Sequence, residues 1–238
     1  MIIDCISDLH GFYPKLDGGD LLIVAGDLTA RDDEKGLDEF CEWIMSYFGK
    51  YKKAIFISGN HDNNAQIKNH KLYQGEQEYK WLIYLEDSGT TFEGLKIWGS
   101  PWTKTFPGIN PHCKAFTCDT EEELAEKFSI IPEDTDILIT HGPPYKVLDQ
   151  VKNYNTERWV SVGSKSLFEV LKRVKPRLNL FGHIHENGYK QAVLTYPLEI
   201  DQLSEEIIKV GRYETICVNC SHVNEQYKPV NSPVRIKL

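Results

Sequence analysis

The chain has 238 residues, of which 41% are hydrophobic and 26% charged, and its formal net charge is −8. This length suits one sizeable α/β domain, and the composition is that of a folded globular protein. The acidic balance lacks the cationic surface that duplex nucleic acid or an anionic membrane requires, so we expect neither as a partner. A phosphate-bearing substrate is not excluded, because bound metal cations reverse the local field.

The chain opens with MIIDCISDLHGF, which has no basic segment and carries an acidic residue inside its first apolar run. This pattern predicts a core strand rather than a secretion signal. No apolar stretch of the sequence approaches the roughly 18 residues of a membrane span. The six cysteines come without secretory features, which indicates a reducing compartment. We therefore expect a cytoplasmic protein with free thiols.

Cys217 and Cys220 have the spacing of a zinc-binding pair, and Cys113 and Cys118 lie far upstream. However, the segment TICVNCS is typical of a strand, in which residues three apart face opposite sides. A structural zinc site is therefore not expected at these cysteines.

Short apolar runs alternate with turns and helical patterns along the chain. The runs MIIDCIS, LLIVAG, AIFISG, ILIT and LNLFG predict strands that are buried on both faces. Residues 33–50 place apolar side chains at helical spacing and predict an amphipathic helix. Thr120 and the three glutamates after it have the pattern of a capping box at the start of a second helix. Residues 164–174 predict a third helix, which Pro176 ends.

The stretch from Tyr79 to Trp98 contains shorter apolar segments separated by turn residues. It indicates a second sheet or an antiparallel extension of the first. We find no internal repeat, low-complexity tract or linker in the sequence. We therefore expect α/β architecture in a single domain that spans residues 1–238.

Each of the five predicted strands is followed by residues that can bind a metal or move a proton. In chain order these residues are Asp8 and His10; Asp27; Asn60, His61 and Asp62; His141; and His183 and His185. Open α/β sheets bind their ligands at the carboxyl ends of the strands. Residues two apart in an extended chain point the same way, so Asp8 and His10 can share one metal, and His183 and His185 can approach one site together. The glycines before Asp27, Asn60 and His183 let the backbone turn sharply.

Any one of these motifs is weak evidence by itself. An isolated Asp-x-His is common, a lone buried histidine is usually a hydrogen-bonded core residue, and Gly-Asp after a strand is usually a turn. Coincidence does not explain all five in order. The donors are carboxylate, imidazole and amide oxygen without thiolate, which suits manganese, iron or zinc.

In order, DxH, GD, GNHD, H and GHIH resemble the signature of the calcineurin-like metallophosphoesterase superfamily. The segments YLED, GLKIWGSPWT, TDILITHGPP, VKPRLNLFGHIHE and VNCSHVNEQYKPVNSP are similar to its MPPED-type (UPF0046-like) branch of metallophosphodiesterases. The resemblance covers nearly the whole chain. It implies a four-layer α/β/β/α sandwich, in which two mixed sheets are flanked by helices.

The resemblance also implies a role for each motif residue. The first metal would be held by Asp8, His10, Asp27 and His185, and the second by Asp27, Asn60, His141 and His183. Asp27 would bridge the two metals. His61 would contact no metal and would face the leaving-group oxygen, oriented by Asp62. Many relatives carry glutamate in place of Asp62, and the shorter carboxylate can still serve.

The resemblance weakens at about residues 190–213, which are longer than the usual link after GHIHE. Apolar residues recur there at roughly helical spacing, at Leu198, Leu203, Ile207 and Val210. This spacing predicts an amphipathic helix that packs onto the domain or onto a twin subunit of a homo-oligomer. The alternative is a solvated loop.

The candidate substrate-binding residues are Asn60, Arg31, Trp102 and His112. Arg31 has the spacing from Gly26 of a phosphate-binding arginine in related phosphoprotein phosphatases, although its acidic neighbours favour a surface role. Trp102 could stack on a base or pack beneath the second sheet. His112 could reach the substrate from its loop.

The resemblance implies a metal-dependent phosphoric ester hydrolase with two divalent ions. Manganese is the metal that we expect first, with iron or zinc as alternatives. We expect a phosphodiesterase for a small diester such as a cyclic nucleotide, with attack by a metal-bridging hydroxide and His61 as general acid. A nuclease or phosphomonoesterase on the same metal centre is the alternative. A non-catalytic nucleotide-binding or scaffold protein is disfavoured, because every ligand position is filled.

Overall fold

Two mixed sheets form the centre of the fold in this computed structural model. The structure describes residues 1–30, 33–62, 80–105, 113–153, 155–196, 199–203 and 214–238. Four strands of the first sheet run parallel in chain order: β1 (Ile2–Ile6), β2 (Leu21–Ala25), β3 (Lys53–Ile57) and β4 (Leu82–Tyr84). The last strand, β16 (Val234–Lys237), pairs antiparallel with β1 and forms the other edge.

The second sheet has a parallel centre and antiparallel edges. Its parallel strands are β6 (Leu95–Ser100), β9 (Ile137–Thr140), β12 (Leu178–Phe181) and β15 (Glu214–Asn219). On one edge β5 (Ser88–Phe92) pairs with β6, and on the other β13 (Gln191–Thr195) pairs with β15 and with β14 (Glu199–Leu203). Two short pairs complete the described strands: β7 (Thr103–Lys104) with β8 (Thr117–Cys118), and β10 (Gln150–Asn153) with β11 (Arg158–Ser161).

Alternate residues of the central strands pack into different layers. Ile3, Ile23 and Ile55 meet Ile139 and Leu180 of the second sheet in the core between the sheets. The next residue along a strand faces a helix instead, because side chains alternate across a strand. Each fully buried isoleucine or leucine contributes about 1.5–3 kcal/mol relative to its exposed state. The continuous apolar runs are therefore explained by burial on both faces, as the sequence predicted.

Three helices cover the outer faces among the described residues. α1 (Glu34–Met45) packs on the first sheet, whereas α2 (Glu121–Ser129) and α3 (Lys165–Val174) pack on the second. The Thr120–Glu123 capping box is present at the start of α2. α3 ends at Lys175, whose φ of 52° places it in the left-handed region just before Pro176. The α/β/β/α arrangement and the three helices are confirmed.

The cysteine pair of the TICVNCS segment divides between two layers. Cys217 lies in the cluster under α2 and α3, and Cys220 lies in the core between the sheets. The two side chains therefore face opposite sides, as the strand pattern predicted.

The strand pairing decides two further expectations. The second sheet expected between Tyr79 and Trp98 is confirmed for β5 and β6, which form an antiparallel hairpin at its edge, whereas β4 extends the first sheet in parallel. The helix predicted from Leu198 is wrong over residues 199–203, which form the edge strand β14. Strand β13 offers these residues backbone partners, and that pairing outweighs a weak helical pattern. Leu198, Ile207 and Val210 lie outside the described residues.

Candidate metal centre

The ends of the five predicted strands bring their polar side chains together. Three overlapping groups have ligand atoms that all lie within 4.8 Å of one another: Asp8, His10 and His185; His10, Asp27 and His61; and Asp8, Asp27 and His141. The amide oxygen of Asn60 lies 3.0 Å from His141 Nε2. The ring of His183 lies 4.9 Å from that of His141, centroid to centroid. All seven predicted ligands therefore lie in one cluster.

The two oxygens of Asp27 face different histidines. Oδ2 lies 3.6 Å from His10 Nε2, whereas Oδ1 lies 3.3 Å from His141 Nε2. On the first side, His185 Nε2 lies 3.3 Å from His10 Nε2 and 3.3 Å from Asp8 Oδ1. A carboxylate between two groups of donors has the arrangement that a bridging ligand requires.

Four of these residues have backbones in the left-handed region, which is uncommon for side chains other than glycine. Their φ angles are 53° at Asp8, 44° at His10, 52° at Asp27 and 68° at His183. Such conformations cost on the order of 1 kcal/mol each and concentrate at functional sites. Neighbouring backbone bonds hold them, as where His183 N donates to the carboxylate of Asp8 at 3.0 and 3.1 Å.

Two glycines allow these loops to approach closely. A Cβ at Gly59 would lie 2.3 Å from Asp27 Oδ1, and a Cβ at Gly182 would lie 2.0 Å from Asp8 Oδ2. Any larger residue would displace a carboxylate of the cluster, which explains the glycines of the GNHD and GHIH motifs.

The cluster is buried and polar, and its charges are strongly coupled. Burial disfavours charged forms, but hydrogen bonding and Coulomb interaction with His185 hold the pKa of Asp8 below its usual range. Burial is likewise outweighed at His141, where Asp27 and Asp8 raise the pKa to about 9. At His10, burial dominates and lowers the pKa to about 4. Two buried carboxylates among these imidazoles form a donor set that divalent cations fit well.

His141 has a defined orientation. Its Nδ1 donates to the backbone oxygen of Ala25 at 3.0 Å, which directs Nε2 towards Asp27 and Asn60. A hydrogen bond of this kind fixes the tautomer of a metal-binding histidine.

Asp62 is held by the backbone around it. Its carboxylate accepts hydrogen bonds from the backbone nitrogens of Leu28, Thr29 and Gly59. It therefore ties the loop after β2 to the loop after β3. That Asp62 also orients the His61 ring stays a prediction.

The His61 ring contacts a residue that the sequence did not indicate. Its Nδ1 lies 3.3 Å from Cys113 Sγ, and its Nε2 lies 4.0 Å from Asp27 Oδ2. Its backbone nitrogen donates to Asp27 Oδ1 at 2.9 Å. His61 is therefore held at the edge of the cluster, with Nδ1 near Cys113 and Nε2 facing Asp27.

A cavity of about 670 Å³ opens beside the cluster. Asn60, a predicted substrate-binding residue, lines it together with His61 and Cys113. Tyr227 also lines it, and its ring centroid lies 4.9 Å from that of His10. The only sequence signal for Tyr227 was its position in the VNEQYKPVNSP segment, because its approach to the cluster depends on the fold.

The other substrate-binding candidates do not lie at this cavity or are not described. Trp102 packs on Phe116, receives Lys127 Nζ 3.8 Å above its ring and donates to Asp87 Oδ2 at 2.6 Å. These contacts favour the packing alternative over base stacking. Arg31 and His112 lie outside the described residues.

An α/β/β/α sandwich with an Asp/His cluster across the strand ends defines a metallophosphoesterase. Residues 1–187 match the family described as calcineurin-like phosphoesterase. Metallophosphoesterase domain-containing protein 1 of Homo sapiens is 34% identical over 257 aligned positions, which cover 98% of this chain and 70% of that protein. The chain therefore belongs to the calcineurin-like phosphoesterase family, whose members are phosphoester hydrolases with dinuclear metal centres.

One further relative and one solved structure are also similar to this chain. A UPF0046 protein of Caenorhabditis elegans is 34% identical over 200 positions, which cover 76% of this chain and 62% of that protein. The crystal structure of TT1561 from Thermus thermophilus superposes with a TM-score of 0.59 at 14% identity and covers 93% of this chain and 90% of that one. At that identity the structural match shows the fold alone. Among the described residues, every helix is too short or too polar to cross a membrane.

Proposed function

We propose that this chain is a phosphodiesterase with two divalent metals that hydrolyses a small diester such as a cyclic nucleotide. The observation that carries the proposal is the position of Asp27, whose two oxygens face His10 and His141 at 3.6 and 3.3 Å within a buried cluster. This arrangement supports one metal position on each side of a shared carboxylate.

The remaining donors divide between those two positions. Asp8, His10 and His185 would join Asp27 at the first, and Asn60, His141 and His183 would join it at the second. Oxygen and imidazole donors suit manganese, with iron or zinc as alternatives. Two such cations supply positive charge against the phosphoryl oxygens and activate the nucleophile of an in-line displacement.

His61 is the residue that would move a proton. It lines the cavity, with Nε2 4.0 Å from the shared carboxylate. From this position it would protonate the departing oxygen as general acid, a role typically worth about 10²–10⁴-fold. Cys113, at 3.3 Å from Nδ1, would hold the ring in that orientation.

The size and lining of the cavity support a small organic substrate. A volume of about 670 Å³ is within the usual range for small-ligand sites, about 300–1,000 Å³. One observation favours the second candidate, a phosphomonoesterase or nuclease: Lys104, Lys114 and Lys152 line the same cavity. Lys104 and Lys152 are paired with Glu121 and Glu157, and Glu186 and Glu225 share the lining, so the charge there is balanced rather than cationic.

The test is removal and return of the metal. Chelation should lower hydrolysis of bis(4-nitrophenyl) phosphate by at least about 100-fold, and manganese should restore it. Elemental analysis of each preparation should show about two metals per chain in the active form only. Full activity in a preparation free of metal would contradict the proposal.

A further inference from the structure

Tyr227 is placed over the histidines of the metal centre by a tight turn after β15. Asn224 N donates to Lys228 O at 2.9 Å, and Tyr227 N donates to Asn224 O at 2.8 Å, which closes the turn. The ring centroid of Tyr227 lies 4.9 Å from His10, 5.0 Å from His185 and 6.3 Å from His61. One aromatic ring therefore contacts histidines from three different strand ends.

The backbone and exposure of Tyr227 are unusual for an aromatic residue. Its φ of 57° lies in the left-handed region, and 41% of its surface is exposed. That backbone conformation costs on the order of 1 kcal/mol. Because the ring is partly exposed and lines the cavity, a planar group bound there can contact it.

The cavity beside Tyr227 is lined by the metal centre and by a strand pair. The metal centre contributes Asp27, Asn60 and His61, where a phosphoryl group would lie. The β10–β11 pair and the residue after β11 contribute Val151, Val160 and Val162 to the lining, together with the polar Lys152 and Asn153. Tyr227 lines the cavity and also contacts the histidines of the cluster, so a substrate bound in the cavity would lie next to its ring.

We propose that Tyr227 determines specificity by contacting a flat organic group on the phosphodiester, such as an aryl group or a nucleobase. The inference rests on the proposed function and adds the substrate class that this site favours. Aromatic faces stack on such groups without selecting one base, because every base has a π-face. A substrate whose second ester group is small and aliphatic would leave the ring without that contact.

Two diesters with the same leaving group isolate this contact. Bis(4-nitrophenyl) phosphate and methyl 4-nitrophenyl phosphate both release 4-nitrophenolate, and they differ in the group that stays on phosphorus. We expect Tyr227→Leu, loaded with manganese, to lower kcat/KM for the bis-aryl diester about 10-fold and for the methyl diester less than about 2-fold. Tyr227→Phe keeps the ring and should stay within about 2-fold for both.

Tyr189 offers a matched control. It is 40% exposed with a φ of 63°, and it does not line this cavity among the residues that the structure describes. Tyr189→Leu therefore repeats the chemical change in the same backbone conformation and should leave the ratio of the two substrates unchanged. Tyr227→Asn removes the ring with a side chain that tolerates the left-handed region, so it should reproduce the loss in Tyr227→Leu.

The possible results distinguish the proposed role of Tyr227 from the proposed phosphodiesterase activity. An equal fall for both diesters, an unchanged ratio, or loss of manganese from Tyr227→Leu would overturn the role of Tyr227 while leaving the phosphodiesterase in place. Failure of the unaltered, manganese-loaded chain to hydrolyse either diester would overturn the proposed function and this inference with it.

Discussion

Asp27 presents one oxygen to each side of the cluster, at 3.3 Å from His141 and 3.6 Å from His10. Replacing it with asparagine removes the charge that both metal positions would share. We therefore expect Asp27→Asn to lose manganese and at least about 100-fold of its activity together. Elemental analysis alongside the rate measures both. Retention of both metals would show that Asp27 does not bridge them.

His61 should respond in a different way. In the proposed function it donates a proton and binds no metal, so His61→Ala should retain manganese yet react slowly. The rate of hydrolysis should fall about 10²–10⁴-fold for diesters with alkoxide leaving groups. It should fall much less for diesters that release nitrophenolate, which needs no proton to depart. A series of leaving groups of graded pKa measures this slope. If the substitution empties a metal position instead, His61 is a ligand.

Cys113 allows a separate test of how His61 is held. Its sulfur lies 3.3 Å from His61 Nδ1. Cys113→Ser keeps a group that can hydrogen-bond to the ring and should stay within about 3-fold of the parent. Cys113→Ala should lower kcat for poor leaving groups about 10-fold, because the ring loses its orientation. Cys41→Ala, on the remote helix α1, is the control and should change nothing. Equal values of kcat in Cys113→Ser and Cys113→Ala would show that the contact with Cys113 does not orient His61.

The cluster could be predicted from sequence because its residues directly follow apolar runs. Asp27 and His141 were selected by the rule that ligands bind at the carboxyl ends of strands, although their strands β2 and β9 lie in different sheets. Cys113 and Tyr227 have no such signal, since their approach depends on how long loops fold back. The partners of Asp62 were missed for the same reason: three backbone nitrogens from two loops give no pattern in the sequence. The roles of these residues stay predictions.

At the scale of elements, the periodicity of apolar residues predicted most helices and strands, but it did not predict which neighbouring strands each strand pairs with. The capping box at Thr120 and the stop before Pro176 fixed the ends of α2 and α3 correctly. β4 joined the first sheet, and residues 199–203 became an edge strand, because pairing depends on which sheet edge is open nearby. A short segment carries little information about that choice.

One carboxylate of α2 accepts several hydrogen bonds from the start of α3. Glu121 Oε2 accepts from Ser166 N at 3.0 Å, from Ser166 Oγ at 2.9 Å and from Ser164 Oγ at 3.1 Å. Burial opposes its ionisation, but these bonds outweigh burial and lower the pKa of Glu121. We expect Glu121→Gln to reduce the free energy of unfolding by about 1–2 kcal/mol at pH 7.

The sign of the pH dependence follows from that lowered pKa. A carboxylate with a depressed pKa contributes stability above its unfolded pKa, about 4.3, and loses it as the pH falls through the folded pKa. The difference in the free energy of unfolding between Glu121→Gln and the parent should therefore be largest near pH 7 and become smaller below about pH 4. Urea unfolding followed by circular dichroism across this range measures it. Glu122→Gln, in the same helical turn, controls for the helix dipole and should show a smaller, different profile.

At the scale of the whole molecule, the site exists only where both sheets are assembled. Strands β1, β2 and β3 carry the first three motifs, whereas β9 and β12 of the other sheet carry His141 and His183. Backbone bonds join the two sets, as where Ser7 N donates to Cys220 O at 2.9 Å. Packing of the two sheets against each other therefore brings the motif residues of both sheets together. A single domain over residues 1–238, a homo-oligomer and a cytoplasmic location stay predictions.

The net charge of the chain and the charges that line the cavity both bear on the choice of substrate. The chain as a whole carries a net charge of −8, which repels long polyanions before they reach the cavity. Within the cavity, Lys104 and Lys152 are paired with Glu121 and Glu157, and Glu186 and Glu225 accompany the remaining Lys114, so the lining offers no surplus of positive charge to a dianion. A cyclic nucleotide carries one charge for the metals to meet and a base for the ring of Tyr227.

We therefore expect the manganese-loaded chain to have a higher kcat/KM for cyclic nucleotides than for the matching nucleoside monophosphates or for single-stranded oligonucleotides. The preference should be at least about 10-fold at low ionic strength. It should narrow for oligonucleotides as salt screens the long-range repulsion, because the Debye length falls from about 30 Å at 0.01 M to about 8 Å at 0.15 M. Kinetics on the three substrate classes at both salt concentrations measure this. A monophosphate that reacts faster would assign the lysines to phosphate binding and make the chain a monoesterase on the same metal centre.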